Sequence, residues 1–398
     1  MARLMLLDGN SLAYRAFFAL PTDMATASGQ VTNAVYGFTS MLINLLKDHR
    51  PDHIAVAFDR PEPTFRHQMI ADYKAGRAAA PDILRQQMGL VRQVVEALHI
   101  PVLEVAGYEA DDVLATLATR ARDAGDEVIV VTGDRDTYQL VEDPLVKVLY
   151  NRRGVSDYVL YDEAGIQERT GVPPSLYPQY AALRGDPSDN LPGVPGVGEK
   201  TAARLITTYG DLDGIFSHLD ELTPKLRASL AAAEATVRKN AEATPLIREV
   251  PVDVDPDGLT MGGWDREEVR RLFDFLEFRT LWDRLLEASG VEGKGGASPA
   301  PAGEAISVAV TRLPEGAAAG QLHQWARSAT ALAVAGAWEA LPGRSALVGL
   351  AMVAGTGDPA AVTWLDASTL AQAPVRAALQ EVMGTGGAPV SAHDAKAL

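Results

Sequence analysis

Three short apolar runs in the first third of the chain each end in aspartate: LMLLD at Asp8, IAVAFD at Asp59, and VIVVTGDRD at Asp134 and Asp136. Runs of this length and β-branched content predict buried strands, and the same grammar recurs at Val102 to Val105 and Val146 to Tyr150. The first and third runs are read as Arg3 to Leu7 and Val128 to Thr132, and the second as Ile54 to Phe58. Longer stretches with helical periodicity, such as Val35 to Leu46 and Asp112 to Ala124, separate them. Alternation of this kind predicts an α/β fold, a mostly parallel sheet covered by helices on both faces. In such sheets ligands gather beyond the carboxyl ends of the strands. Several carboxylates delivered to one edge repel each other and cost free energy unless a cation is shared.

More acidic residues follow the same logic. The segment YEADD supplies Glu109, Asp111 and Asp112 in the first turn of a predicted helix, and GDPSDN places Asp186 and Asp189 in a proline-containing loop. With Asp8, Asp59, Asp134 and Asp136 they form a candidate metal set. All-oxygen ligands of this type suit Mg²⁺ or Mn²⁺, and their number suggests two or more ions. Two such ions can clamp the attacking and leaving oxygens of a phosphodiester displacement, so no histidine base is required. The seven histidines are scattered and form no HExxH pair, and with no cysteine any metal must sit on oxygen or imidazole. Helix-dipole preference explains acids in a first turn, and Asp after a strand is an ordinary turn residue. The metal reading therefore rests on convergence of the strand ends.

From about Pro173 to Leu286 strand signals vanish, which predicts a helical part. Residues 289–305, SGVEGKGGASPAPAGEA, have linker composition. Beyond them Ile306 to Val310, Ala331 to Ala335, Leu347 to Val353 and Val362 to Leu365 predict strands of a second α/β unit, which the halt at Leu398 suggests is incomplete. The expected division is 1–172, 173–288, a linker at 289–305, and 306–398. No stretch of about 18 apolar residues or secretory leader is present, which predicts a cytoplasmic protein away from membranes. The net charge of −16 looks unfavourable for binding nucleic acid, yet carboxylates that bind metal become a phosphate-attracting site once loaded.

Local charge tells more than the total. Arg60, Arg66, Lys74, Arg77, Arg85 and Arg92 stand against only Glu62, Asp72 and Asp82, with Phe65 and Tyr73 interleaved, a pattern suited to phosphates and unpaired bases. A solvated helix face is the plainer reading. The segment LPGVPGVGEKTAARLI, Leu191 to Ile206, leads through Gly193, Gly196 and Gly198 into a helix carrying Lys200. Free N–H groups and the positive dipole end of such a helix can hold a phosphate without reading sequence, although Gly and Pro also simply punctuate turns.

LMLLDGNSLAYRAF, AVAFDRPEPTFR, DYKAGR, GYEADD, VTGDRDTYQLV and GDPSDNLPGVPGVGEKTA resemble, in order, the motifs of the flap endonuclease family, most closely the 5′ nuclease domain of bacterial DNA polymerase I. The resemblance runs from residue 4 to about 286 and closes with FDFLEFRTLWDRL. It implies a PIN-like α/β fold with a helical arch, and hydrolysis of DNA carrying a 5′ flap, nick or gap that leaves a 5′ phosphate. By that resemblance Asp8, Asp59, Glu109 and Asp111 serve a first ion and Asp134, Asp136 and Asp189 a second, with Asp112 and Asp186 as additional carboxylates. Lys74 and Arg77 match arch residues that act on the scissile phosphate, so Asp8, Lys74, Arg77 and Asp134 are the candidate catalytic residues. Arg15, Arg66, Tyr73, Gly193, Gly196, Gly198, Lys200 and Thr201 are candidates for holding DNA, with Tyr73 stacking a base. The glycine segment is similar to a helix-hairpin motif that binds K⁺.

The last unit resembles the start of an RNase H-like 3′ to 5′ exonuclease fold, but its aligned strand LAVAGAW has Ala335 and Ala337 where carboxylates belong, and Asp394 is no obvious ligand. The resemblance thus implies a monomeric fragment of a longer protein with a C-terminal polymerase domain. Two rivals remain: a PIN-like ribonuclease, and a silent branched-DNA-binding module. DYKAGR with GVPGVGEKTA argues against the first, and the full carboxylate set against the second.

Overall fold

In the first sheet successive side chains alternate between two apolar layers, so both faces of its central strands are buried. Leu4, Leu6, Ala55, Ala57, Val128, Val130, Val146 and Val148 point into one core, while Met5, Leu7, Ile54, Val56, Ile129 and Val131 point into the other. Near-continuous hydrophobic runs are what a doubly covered parallel sheet demands. The structure is a computed structural model that describes residues 2–77, 79–289, 309–313, 316–329, 332–338, 347–354, 361–383 and 390–392. It contains two units, Met1–Gly293 and Lys294–Leu398.

In the first unit the strands are β1 (Arg3–Asp8), β2 (His53–Ala57), β3 (Val102–Leu103), β4 (Glu127–Thr132), β5 (Val146–Arg153) and β6 (Asp157–Tyr161), in the spatial order β3-β2-β1-β4-β5-β6. β1 to β5 are mutually parallel and β6 runs antiparallel to β5. The order reverses between β1 and β4, which makes the carboxyl ends of those two strands the natural place for a ligand crevice. The third strand is shorter than the apolar run suggests, and β6 was not anticipated from the sequence.

Helices α1 (Gly9–Ala19), α2 (Asn33–His49), α3 (Phe65–Met69), α4 (Asp82–Ala97), α5 (Ala110–Asp123) and α6 (Glu163–Thr170) alternate with the strands. The helical part comprises α7 (Tyr177–Arg184), α8 (Glu199–Tyr209), α9 (Leu212–Ser217), α10 (Pro224–Ala243), α11 (Arg266–Phe275) and α12 (Arg279–Ala288). α5 and residues of α7 to α10 close the first core; α1, α2, α4, α11 and α12 close the second. Among the described residues no helix is long and apolar enough to cross a membrane.

One buried ion pair ties these parts together. The Arg66 guanidinium of α3 donates to both oxygens of Asp112 in α5 at 2.7 and 2.8 Å, and also to the carbonyls of Ala243 and Pro245. Asp112 further accepts from the backbone N–H groups of Glu109 and Ile247. Arg66 is 3% exposed and Asp112 fully buried, so every lone pair and proton must be satisfied internally, and nearly all are.

The second unit has strands β7 (Ala309–Arg312), β8 (Leu332–Trp338), β9 (Leu347–Ala354), β10 (Ala361–Asp366) and β11 (Val390–Ala392), ordered β11-β8-β9-β10-β7. β9 is antiparallel to β8 and β10, β11 is parallel to β8, and β7 is parallel to β10. Helices α13 (Ala318–Ser328), α14 (Ala367–Leu370) and α15 (Ala373–Met383) complete it. Leu322, Leu332, Val334, Leu350, Met352, Val375 and Val382 form its core. Linker residues 290–305 and Asp394 lie outside the described residues.

Removing one member of the Arg66–Asp112 pair strands a buried charge. Arg66→Ala is expected to cost about 3 to 5 kcal/mol in urea unfolding followed by circular dichroism; a loss below about 1 kcal/mol would contradict the pinning role.

Candidate active site

The parallel strands bring their terminal acids to one edge, and backbone geometry fixes each. Asp8 ends β1 and caps α1, accepting the Ser11 N–H at 2.9 Å and the Thr132 hydroxyl of neighbouring β4 at 2.8 Å. Asp59 follows β2 and accepts the Ala110 N–H at 2.8 Å, which ties it to the amino end of α5. Glu109 is the residue before that helix and Asp111 lies in its first turn. After β4, the Thr132 hydroxyl accepts the Asp134 N–H at 3.0 Å, and Asp134 accepts the Asp136 N–H at 2.9 Å. Asp8, Asp59, Glu109, Asp111 and Asp134 line a cleft of about 400 Å³ together with Lys74 and Arg77.

The charges there are under strain. Burial, reinforced by Asp59, pushes the Asp8 carboxyl up to about 7. Burial and then Asp8, Asp134, Asp59 and Glu109 hold Asp111 well above the usual carboxylate range, and one buried oxygen of Asp111 has no hydrogen-bond partner. Asp136 is likewise held well above it by burial and by Asp134, Asp189 and Asp186, and Asp134 is raised chiefly by burial. Such a cluster invites a cation. Among the described residues, however, no three acidic or histidine side chains already close on one point that could hold an ion. Divalent ions that keep several waters bind through one or two carboxylates plus substrate phosphates and need no such closed cage.

Residues 73–77 reach across to the same edge. Lys74 donates to Glu109 at 2.6 Å, Arg77 to Asp189 at 2.5 Å, and the Tyr73 hydroxyl to Asp189 at 2.8 Å. The Lys74 backbone sits at a φ of +56°, held there by its N–H donating to the Asp189 carbonyl. Asp186 spends one oxygen on the Ser188 N–H and hydroxyl and turns the other toward Arg184 at 3.5 Å, so it shapes its own loop.

Three sequence expectations are corrected. Asp112 is not available to a metal, because Arg66 and two backbone N–H groups occupy it. Arg66 is buried in that pair and does not face DNA. Tyr73 is 4% exposed with its hydroxyl on Asp189 and Glu109, so its ring is not free to stack a base. Gly193 is half-buried and required for packing, since a Cβ there would come within 2.0 Å of the Arg184 carbonyl oxygen. By contrast Gly196 and Gly198 are exposed, a Cβ at either would meet nothing within 4 Å, and Gly196 needs its positive φ of +81°. Lys200 is exposed and Thr201 half-buried in the first turn of α8. Arg15 lies half-buried beside Gly133. Sequence reasoning missed Asn10, Ser11 and Tyr14, which also line the cleft. Ser11 accepts the Gly133 N–H at 2.9 Å and so locks the β4 turn to α1; its place three residues beyond the strand-end Asp8 was the available signal.

Residues 3–171 match the family described as 5′-3′ exonuclease, N-terminal resolvase-like domain, and residues 172–267 that described as 5′-3′ exonuclease, C-terminal SAM fold. DNA polymerase I of Mycobacterium tuberculosis is 45% identical over 409 residues, covering 96% of this chain and 44% of that protein. For DNA polymerase I of Bacillus subtilis the match is 41% over 288 residues, 72% of this chain and 32% of that protein. The chain thus spans less than half the length of these curated relatives. Among solved structures, the flap endonuclease of bacteriophage T5 in complex with DNA and metal ions superposes with a TM-score of 0.52 at 20% identity, over 72% of this chain and 99% of that one. That likeness establishes a shared PIN-like fold.

Unfolded Asp8 ionises near 3.8 and folded Asp8 near 7, so between those values the folded state binds more protons and its stability falls as pH rises. In chelator, Asp8→Asn is therefore expected to match the parent near about pH 4 and to exceed its thermal midpoint by about 2 to 4 °C near pH 8. A variant no more stable than the parent at the higher pH would contradict the repulsion argument.

Proposed function

Since residues 3–267 carry both domains of the 5′-3′ exonuclease family and are homologous to the nuclease domain of DNA polymerase I, we propose that this region is a divalent-metal-dependent 5′ nuclease acting on DNA with a 5′ flap, nick or gap. The observation that carries the reading is the meeting of acids from β1, β2, β4 and the start of α5 in one cleft with Lys74 and Arg77. Asp8, Asp59, Glu109 and Asp111 would hold one Mg²⁺ or Mn²⁺ ion, and Asp134, Asp136 and Asp189 a second. The unpartnered Asp111 oxygen and the raised carboxyls fit that assignment. Bound ions supply a nucleophilic water at neutral pH and neutralise charge on the phosphate in flight.

The chain's own groups do the positioning. Lys74 and Arg77 line the cleft and would grip the scissile phosphate, while Ser11 and Thr132 hold the β1 and β4 turns in register. Exposed Gly196, Gly198 and Lys200 at the start of α8 would receive the duplex backbone, with K⁺ between them. For the second unit we propose an exonuclease-like fold without its metal site, a reading drawn from β8, β9 and β10 running antiparallel, from β11 lying parallel to β8, and from Ala335 and Ala337 on β8.

Cleavage of an end-labelled 5′-flap DNA, beside a single-stranded RNA, with Mg²⁺, Mn²⁺ or chelator, tests the proposal. Metal-dependent cuts near the junction with RNA spared support it; cleavage of RNA alone, or binding without cleavage, overturns it. Asp134→Asn is expected to lower the rate by roughly a hundredfold or more while duplex binding in chelator is retained. Lys74→Ala should lower kcat more than it raises the dissociation constant, and the reverse pattern would make Lys74 a binding residue only.

A further inference from the structure

A second cleft of about 450 Å³ adjoins the first, sharing Gly133 and Asp134 with it, and is lined by Arg135, Arg184, Asp186, Ser188 and Glu199. Glu199 is the hub of its charges. One oxygen accepts Arg135 at 3.0 Å and lies 3.8 Å from Arg184, and the other lies 3.9 Å from Arg169. Arg135 stands between Asp134 and Asp136 in the chain. Arg184 continues from Glu199 to Asp186 at 3.5 Å and lies over the Tyr180 ring. Glu199 itself opens α8, directly after the exposed Gly196 and Gly198.

Resting on the nuclease reading above, we propose that Glu199 is a positioning residue for the metal-holding carboxylates, acting through Arg135 on the Asp134–Asp136 turn and through Arg184 on the Asp186–Asp189 loop. The network makes the helix end that receives duplex and the two acidic turns one mechanical unit, so seating the duplex sets the carboxylates. The plainer role for an acid in a first helical turn is to complement the dipole, and that role touches only helix stability. Arg135 and Glu199 are 40% and 47% exposed, and a pair that open to water adds little to folding. Its effect therefore belongs in geometry.

The test uses the full 398-residue chain with Glu199→Gln, Arg135→Gln and the double variant. Mn²⁺ binding without DNA is read by electron paramagnetic resonance, alongside duplex affinity in chelator and the thermal midpoint. Each single variant is expected to weaken Mn²⁺ binding by about tenfold, as loss of an outer support of a metal ligand does. The double variant should be no weaker than either single one, with the duplex affinity of Arg135→Gln in chelator held within about twofold. Parent-level Mn²⁺ binding in both single variants, or losses that multiply in the double variant, would overturn the proposal. A parent chain that neither binds Mn²⁺ nor cleaves flap DNA would overturn the nuclease reading and this inference with it, whereas an active parent with silent variants overturns the inference alone.

Discussion

Mutual repulsion among carboxylates at the edge of one sheet governs this structure. A parallel sheet gathers the ends of β1, β2 and β4 because its strands all run the same way, and each of those ends carries an acid. Their proximity is stored free energy. The fold tolerates it through hydrogen bonds to Ser11, Thr132 and Ala110, through Lys74 and Arg77, and through protons that the buried carboxyls keep longer than free ones do. The repulsion that makes the edge costly for folding is what a divalent ion bound there, as proposed, would relieve, so stability and the proposed function pull against one another here.

The remaining acids show how the fold separates roles. Asp111 and Asp112 are adjacent in sequence, yet α5 turns one toward the cleft and the other into the core. Asp112 meets Arg66, and that pair clamps α3, α5 and the segment after α10 around the base of the cleft. Glu109 sits between the two environments, touched by Arg66 on one side and Lys74 on the other. A floor of buried charge therefore lies beneath a rim where Lys74 and Arg77 are 22% and 48% exposed.

Much of this was legible in the chain. The strands announced themselves because doubly buried strands must be continuous apolar runs, and the acids at Asp8, Asp59 and Asp134 because a carboxylate directly after such a run has few places to go. The misreadings have a common cause. Arg66 lies 46 residues from Asp112, a partner that is no local feature, so local charge alone assigned Arg66 to DNA. Tyr73 read as an exposed aromatic among cations, but Asp189, 116 residues away, draws its hydroxyl inward. β6 escaped notice because four of its five residues are only half-buried and Leu160 is exposed, which leaves no clear apolar period.

The most direct test of the central claim is a calorimetric titration of Mg²⁺ or Mn²⁺ into the chain near about pH 6.5, repeated in two buffers of different ionisation enthalpy. Because carboxyls such as Asp8 hold protons up to about 7, ion binding should release protons and the apparent heat should depend on the buffer. Binding whose heat is the same in both buffers, or no binding at all, would contradict the claim that this acidic edge is built to be neutralised by divalent ions.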